Sequence, residues 1–404
     1  MSFAEKDMKR NLSVSRMADD LAALRPLVDS HITVERLRHY ITSISSVASP
    51  STAASVLRGP ILRQLLQETK ALGNENLHFY LNYQKTGNSL ILVGENNSRK
   101  KLWYIAHLDT VSYLVQPKQS ARYPLVPFCH HMIKNGKRSA VAYRFISSSA
   151  KYEIIARGYL ESEDSQPFFR PEIEDPNLRA GDRVVFSTTY QENPLTGNFT
   201  AHLDNAGAVA ALLAAAPVLA EAKVEALLAF PDEEEGPAGS GNQMIGRGGS
   251  RILNLFAVPE LVIVSDVQQT GGDGAGESSD SDLTGVQLGG GAVLSEFSSL
   301  ARGAVTPPHL HVLAAECIEA LHTIGVSVQL SDNSYTSRSD DISVMLKTPN
   351  ILLLGFPGIN RHFDLGEPSA NIYDLVNLAK AMVYFAALRK QLRRVWKRFE
   401  AKRE

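Results

Sequence analysis

Seven residues suited to metal-assisted hydrolysis occur along the chain in one order: His107 and Asp109 in AHLDT, Asp204 in AHLDNAG, Glu233 and Glu234 in FPDEEEG, Asp266 in VIVSDV, and His362 in GINRHFD. Imidazole and carboxylate suit zinc, cobalt or manganese, and two such ions placed close together need a shared carboxylate to offset their repulsion. Asp204 is the natural bridge. His107 and Asp266 then complete one shell, and Glu234 and His362 the other. A position on each ion stays open for a shared water, whose pKa falls toward neutrality. Glu233 is expected to take that water's proton and deliver it to the leaving amine. Adjacent side chains of a loop point differently, so a Glu-Glu doublet can supply one ligand and one base. Asp109 is expected to orient the His107 ring through a carboxylate–histidine hydrogen bond.

Position supports the set. Each of these residues stands at or just after the end of an apolar, strand-like run, where an α/β sheet presents side chains to the crevice outside its carboxyl ends. Taken singly they carry little weight, because a strand-end histidine is more often structural and DEEEG more often a solvated turn. The tripeptide HLD occurs twice, and its two copies have different work. The first follows an apolar strand into His107, whereas in the second Asp204 opens the helix NAGAVAALLAAAPVLA, leaving His202 a structural or outer role. His309 and His311 open an amphipathic helix away from any strand end, and Cys129-His130-His131 lacks matching partners, so neither group is assigned chemistry.

The elements that would position the site follow from periodicity. Residues 1 to about 75 are patterned as helices, with 1–30 the part expected to be flexible. The strands SLILVG and LWYIAHLD come next, and then between 113 and 198 the texture changes to short β-like pieces (AVAYRFISSS, KYEIIARGYL, DRVVFSTTY) that read as an inserted β domain. From 199 the α/β rhythm returns: a helix over 204–220, strand EALLAFP, a helix-prone stretch 239–256, strand ELVIVSD and helix PHLHVLAAECIEALHTIG. Strand VSVQL, helix DISVMLK, strand NILLLGF and a long final helix complete it. The catalytic α/β unit thus comprises 1–112 and 199–404, interrupted by the insertion. The Gly/Ser-rich run 268–282 reads as a surface loop beside the site.

Composition narrows the function. The 41 basic and 43 acidic residues give a net charge of -2, no electrostatic argument for nucleic acid or an anionic membrane. Two cysteines cannot make a disulfide framework or a cysteine zinc site, and they fit a cytoplasmic protein with reduced thiols. The start lacks the apolar run of a secretory signal, and no stretch is apolar enough to span a bilayer. The basic C-terminal LRKQLRRVWKRFEAKRE reads as a solvated helix end whose cations complement the helix dipole.

From about 85 to 385 the motifs resemble those of the dimetal aminopeptidases, the family of glutamyl, leucyl and deblocking aminopeptidases that assemble as tetrahedral dodecamers. GNSLILVG before AHLDTVSYLV, LRAGDRVVF, LDNAGAVAALL, FPDEEEGPAGSG, VSDV, VQLGGGAVL, the SRSDD segment and the Pro357-to-His362 spacing carry the resemblance. It implies a three-layer α/β/α sandwich with a mixed central sheet and a small β-barrel-like insertion used for dimerisation or oligomerisation. It also implies two divalent metal ions (Zn, Co or Mn) on His107, Asp204, Glu234, Asp266 and His362, with Glu233 as base and Asp109 beside the first histidine. Peptides would be the substrates and a homo-oligomer, a dimer or dodecamer, the working form. Related carboxypeptidases and amidohydrolases share HLDTV and PDEEEG but carry their extra domain later in the chain, whereas here the long gap separates His107 from Asp204. The last histidine stands in NRHFD, where the family usually has a His-Ser-Pro step. Arg338, Asp340 and Asp341 in TSRSDD are candidates for lining the specificity pocket. Deacylation of blocked amino acids or carboxypeptidase activity within the same clan, and a non-catalytic scaffold, are the alternatives.

Overall fold

A computed structural model describes residues 14–129, 133–237, 246–270, 285–298, 303–331, 339–363 and 365–400. Four short apolar runs, Ala226–Phe230, Leu102–Ile105, Leu261–Val264 and Ile351–Ile359, lie side by side in that order as parallel strands at the centre of a 12-stranded sheet. Their near-continuous hydrophobic sequences suit strands covered on both faces. Ser89–Val93 and Leu77–Tyr80 extend one side antiparallel. On the other, Ala292–Ser295 runs antiparallel to Ile351–Ile359, so the sheet is mixed.

Alternation along the strands divides the core. Val93, Leu102, Tyr104, Leu228, Phe230, Ile263, Leu352 and Leu354 face one helical layer. That layer includes helices Val34–Ser45, Ala206–Glu221, Pro308–Thr323 and Ile372–Phe385. Leu92, Trp103, Ile105, Leu227, Val262, Val264 and Leu353 face a thinner layer containing helices Arg247–Ile252 and Asp341–Val344. The result is the expected three-layer sandwich. Helix Ala206–Glu221 is buried from Ala206 to Ala220, which explains its alanine-rich sequence: small side chains let it pack between sheet and outer helices. At its start Gly207 allows contact with Phe356, because a Cβ there would come 2.4 Å from the ring.

The insertion closes into a six-stranded barrel in the order Tyr113–Val115, Tyr123–Pro127, Gln166–Pro171, Lys151–Glu163, Gly136–Ile146 and Arg183–Phe186. Its own core contains Tyr113, Phe169, Val184 and Phe186. Barrel pairing ends at Phe186, while Gln191–Glu192 and Asn198–Thr200 pair beyond it with the main sheet through Ser369–Asn371.

Several elements differ from expectation. Residues 14–22 and Arg25–His31 are helical and bury Met17, Leu21 and Val28, so 14–30 are packed; 1–13 lie outside the described residues. DISVMLK is helical only over Asp341–Val344, and the stretch 239–256 only over Arg247–Ile252, with 238–245 outside the described residues. The final helix is two, Ile372–Phe385 and Leu388–Glu400. The second is docked by Leu388 and Leu392 and by Arg393, which donates to both oxygens of Glu260 at 2.6 Å. Of the Gly/Ser run, 271–282 lie outside the described residues.

Candidate metal centre

Because the four central strands are parallel, their carboxyl ends open on one edge, and the chemistry-bearing residues leave from there. His107 follows Leu102–Ile105, the acidic run follows Ala226–Phe230, Asp266 follows Leu261–Val264 and His362 follows Ile351–Ile359. Asp204 arrives from the side, two residues ahead of helix Ala206–Glu221. The adjoining Asn205 fixes that approach by donating from Nδ2 to the carbonyl of Ser265 at 2.8 Å, which ties the helix start to the Asp266 strand end.

Asp204 sits between the histidines. Its Oδ1 is 3.0 Å from His107 Nε2 and its Oδ2 is 3.1 Å from His362 Nε2. Asp266 Oδ2 and Glu234 Oε2 lie 3.7 and 3.8 Å from His107 Nε2, and Glu235 Oε1 lies 3.7 Å from His362 Nε2. Three buried groups have ligand atoms within 4.8 Å of one another: His107/Asp204/Asp266, His107/Glu234/Glu235 and Asp204/Glu235/His362. Asp204 contributes to two of them, one oxygen to each side.

The glutamates of the acidic run are placed unequally around the cluster. Asp232 is buried and accepts from the amides of Thr52, Ala54 and Glu233 at 2.8, 3.0 and 2.7 Å, latching the N-terminal segment to this loop. Glu233, expected as the base, has a left-handed backbone (φ 61°), and its carboxylate is gripped by Arg251 at 2.7 and 2.8 Å. It belongs to none of the three groups. Glu234 and Glu235 face the cluster instead, with Glu235 beside His362 where Glu234 had been expected. No periodicity marks Glu235 among three successive glutamates, and the Arg251 partner of Glu233 lies 18 residues on.

Asp109 also differs in detail. The Asp109 carbonyl is 3.1 Å from His107 Nδ1, whereas its carboxylate is 3.5 Å away. The carboxylate is occupied elsewhere: it accepts from Ser51 Oγ at 2.6 Å and from the amides of Glu234 and Glu235 at 3.0 and 3.1 Å. It therefore sets the backbone of the glutamate pair. Between the two, the carbonyl of Leu108 accepts from the fully buried Arg58 at 3.0 Å, whose guanidinium is lowered to about 10 by burial against the pull of Asp109 and Asp204.

The donor set calls for a cation. A carbonyl can only accept, so His107 Nδ1 carries a proton, and Nε2 is left facing carboxylate oxygens. His107 Nε2, Asp204 Oδ1 and Glu235 Oε1 are buried without a well-aligned hydrogen bond. Burial disfavours an imidazolium, yet Glu234, Asp109, Asp204 and Asp266 outweigh it and hold His107 well above its ordinary pKa. Burial drives Glu234 and Glu235 well above the carboxylate range, and their neighbours Asp266 and Asp204 add to it. Asp204, against burial, is held well below its ordinary value by His107 and His362. Positive charge is needed at this point, and divalent ions with mixed N and O ligands fit it.

Other candidates resolve as follows. Asp341 accepts from Ser298 Oγ and the amides of Ala304 and Ser339, each at 2.7 Å, and is structural. Asp340 is fully buried, both of its oxygens lack a hydrogen bond, and burial raises it to about 7 within Coulombic reach of His107 and Asp266. Arg338, His130 and His131 lie outside the described residues. Cys129 is buried in the barrel core, and the His309 ring meets Trp396 edge-on. Arg361, which the sequence reading passed over, brings Nη1 to 3.9 Å from Asp204 Oδ2.

The profile of peptidase family M20/M25/M40 matches residues 199–388, which contain Asp204, Glu234, Glu235, Asp266 and His362. No curated protein matches the chain. Among solved structures the chain is similar to an aminopeptidase from the archaeon Desulfurococcus kamchatkensis, at 15% identity over 87% of this chain and 95% of that one, with TM-score 0.66. It is also similar to a TET peptidase of Pyrococcus horikoshii that can assemble into a tetrahedron or a large octahedral shell (17% identity, 87% and 98% covered, TM-score 0.63). A Thermotoga maritima protein described as an endoglucanase shares the fold as well (14%, 87% and 99%, TM-score 0.59). At these identities the likeness is one of fold, and the differing descriptions show that fold alone does not carry activity. The chain thus combines a fold shared with solved peptidases, a segment similar to a peptidase family and a buried imidazole–carboxylate cluster. In fold, the resemblance to tetrahedral aminopeptidases read from the motifs agrees with these neighbours.

Proposed function

We propose that the protein is a metal-dependent aminopeptidase that removes N-terminal residues from peptides with two divalent ions, zinc, cobalt or manganese. The observation that carries this reading is Asp204, which offers one oxygen toward His107 and the other toward His362. His107, Asp204 and Asp266 would hold one ion, and Asp204, Glu235 and His362 the second. Bound there, such ions supply Lewis acidity, polarising a peptide carbonyl and easing deprotonation of water near neutral pH. Glu234 is the base in this scheme. It belongs to the His107/Glu234/Glu235 group but to neither group that contains Asp204, and its raised pKa lets one carboxyl oxygen take the water's proton and pass it to the leaving amine. Asp109 fixes the Glu234–Glu235 backbone, so one loop presents ligand and base in fixed relation. The ring of carboxylates also suits a substrate's free ammonium group.

Position of the barrel between His107 and Asp204 supports the aminopeptidase arrangement over that of the related carboxypeptidases. Homo-oligomerisation, as a dimer or a tetrahedral dodecamer, is part of the proposal and is supported by the assemblies of the TET neighbours. A cytoplasmic setting is supported by the buried Cys129 and Cys317; no helix among the described residues is long and apolar enough to cross a membrane. One observation favours a second reading. Arg361 places a guanidinium beside the bridging carboxylate, where it could pair with a substrate carboxylate, as an amidohydrolase acting on N-acyl amino acids requires.

The test is hydrolysis of free-amine aminoacyl substrates and their N-acetylated counterparts by protein stripped of metal and reloaded with zinc, cobalt or manganese. Metal-dependent cleavage of free-amine substrates alone is expected. Cleavage of the acetylated set instead would establish the amidohydrolase, and no turnover with any ion would leave a scaffold.

A further inference from the structure

We infer that Phe363 keys the turn carrying His362 into the core of the inserted barrel, making the barrel a positioning device for one of the two metal sites. The inference rests on the two-metal reading above. The strand Ile351–Ile359 ends in a tight turn in which the Phe363 amide donates to the Asn360 carbonyl at 2.7 Å. Asn360 and Phe363 both have left-handed backbones, φ 55° and 63°. A bulky aromatic residue holds that conformation only where its surroundings over-determine it, since it costs roughly 1–3 kcal/mol.

The surroundings are those of the other domain. Phe363 is 1% exposed and belongs to the barrel's hydrophobic cluster. Its ring stacks on Phe186 at a centroid distance of 4.5 Å and an interplanar angle of 26°. Arg138, in barrel strand Gly136–Ile146, donates from Nε to the Phe363 carbonyl at 2.7 Å. The ring also meets His202, two residues before Asp204, edge-on at 5.2 Å and 88°. One side chain thus touches the barrel core, follows directly after His362 and abuts the segment that delivers the bridging carboxylate. Ser at this position, as in the usual His-Ser-Pro step, could not make these contacts. Phe363 and Arg138 are positioning residues: they touch neither ion nor substrate.

The experiment measures metal stoichiometry and stepwise dissociation constants by competition with a chromophoric chelator, alongside thermal unfolding. The full chain is compared with Phe363→Ala, Phe363→Leu, Arg138→Gln and, as a barrel-core control, Phe169→Leu. Loss of a group that orients a metal ligand typically costs roughly 10- to 100-fold in affinity. Phe363→Ala is expected to weaken one ion by that factor and leave the other unchanged, with Phe363→Leu intermediate. Arg138→Gln, which spares the core and remains informative if Phe363→Ala does not fold, is expected to weaken the same ion. Phe169→Leu is expected to lower the unfolding temperature with both affinities intact. Wild type holding two ions, with Phe363→Ala and Arg138→Gln unchanged or Phe169→Leu equally impaired, overturns this inference alone. Wild type holding fewer than two ions overturns the two-metal reading together with it.

Discussion

Replacing Asp109 by Asn removes one charge and one acceptor from the joint that sets the glutamate pair. The carboxylate accepts three hydrogen bonds, from Ser51 Oγ and from the amides of Glu234 and Glu235. In the best orientation of the Asn amide, its NH2 replaces Oδ2, where Ser51 can reverse its role but the Glu235 amide cannot. One buried backbone N–H is then left facing a donor, at about 1–3 kcal/mol, and the bond to Glu234 is no longer charge-assisted. Against this, Asp109 is one of the charges that raise Asp232, Glu235 and Asp340, so its removal relieves some repulsion. The net loss comes to about 2–3 kcal/mol, a large part of a typical stability of about 5–15 kcal/mol. If it appears as misplacement of Glu234, kcat/KM falls by about 30- to 150-fold, at about 1.4 kcal/mol per factor of ten. Urea unfolding and steady-state kinetics of Asp109→Asn measure both. Stability within about 0.5 kcal/mol of wild type, together with kcat/KM within about threefold, would refute the assignment of this carboxylate to the Glu234–Glu235 backbone.

Three further outcomes follow. Arg251→Gln frees Glu233 from its partner, and as a part-exposed ion pair outside the three buried groups it should change stability by less than about 1 kcal/mol and leave kcat/KM nearly unchanged. Arg361→Gln should lower kcat/KM about tenfold for substrates with a carboxylate near the scissile bond and far less for their amides, the loss of one charge-assisted contact; equal effects on both would remove Arg361 from recognition. Chelation should expose the repulsion among the carboxylates, whereas metal at a hundredfold excess over Kd adds about 2.7 kcal/mol per ion. At the cluster of the metal-free fold His107, Asp232, Glu234, Glu235 and Asp266 are raised, against the lowered Asp204 and its neighbour His202. Raised groups contribute stability that is present below their unfolded pKa and lost as pH rises through the folded one, and the lowered groups do the reverse. Chelated protein should therefore unfold at lower temperature as pH rises above about 4.5, the ordinary glutamate value, and an opposite slope would contradict the charge balance.

Legibility in the sequence followed the range of the physics. Apolar runs ending in His107, Asp266 and the acidic segment announced parallel strands, because burial on both faces leaves a continuous hydrophobic signature. The insertion was visible as a change to short β pieces, and its closure into a barrel agrees with the resemblance. What stayed hidden depends on contacts between distant residues. Which two of Glu233, Glu234 and Glu235 face the site is decided by the Arg251 pair, the left-handed Glu233 backbone and the Asp109 bonds. Likewise Phe363 reads in the sequence as a departure from a motif, and its contacts with Phe186, Arg138 and His202 are all made to distant parts of the chain.

The most direct test of the account compares Glu233→Gln, Glu234→Gln and Glu235→Gln, each reloaded with metal, for ion stoichiometry and for kcat on a free-amine substrate. Glu234→Gln should hold two ions and lose roughly 100-fold or more in kcat, Glu235→Gln should lose affinity for one ion, and Glu233→Gln should resemble wild type. Loss of turnover in Glu233→Gln with both ions retained, and activity surviving in Glu234→Gln, would contradict the assignment of base and ligand.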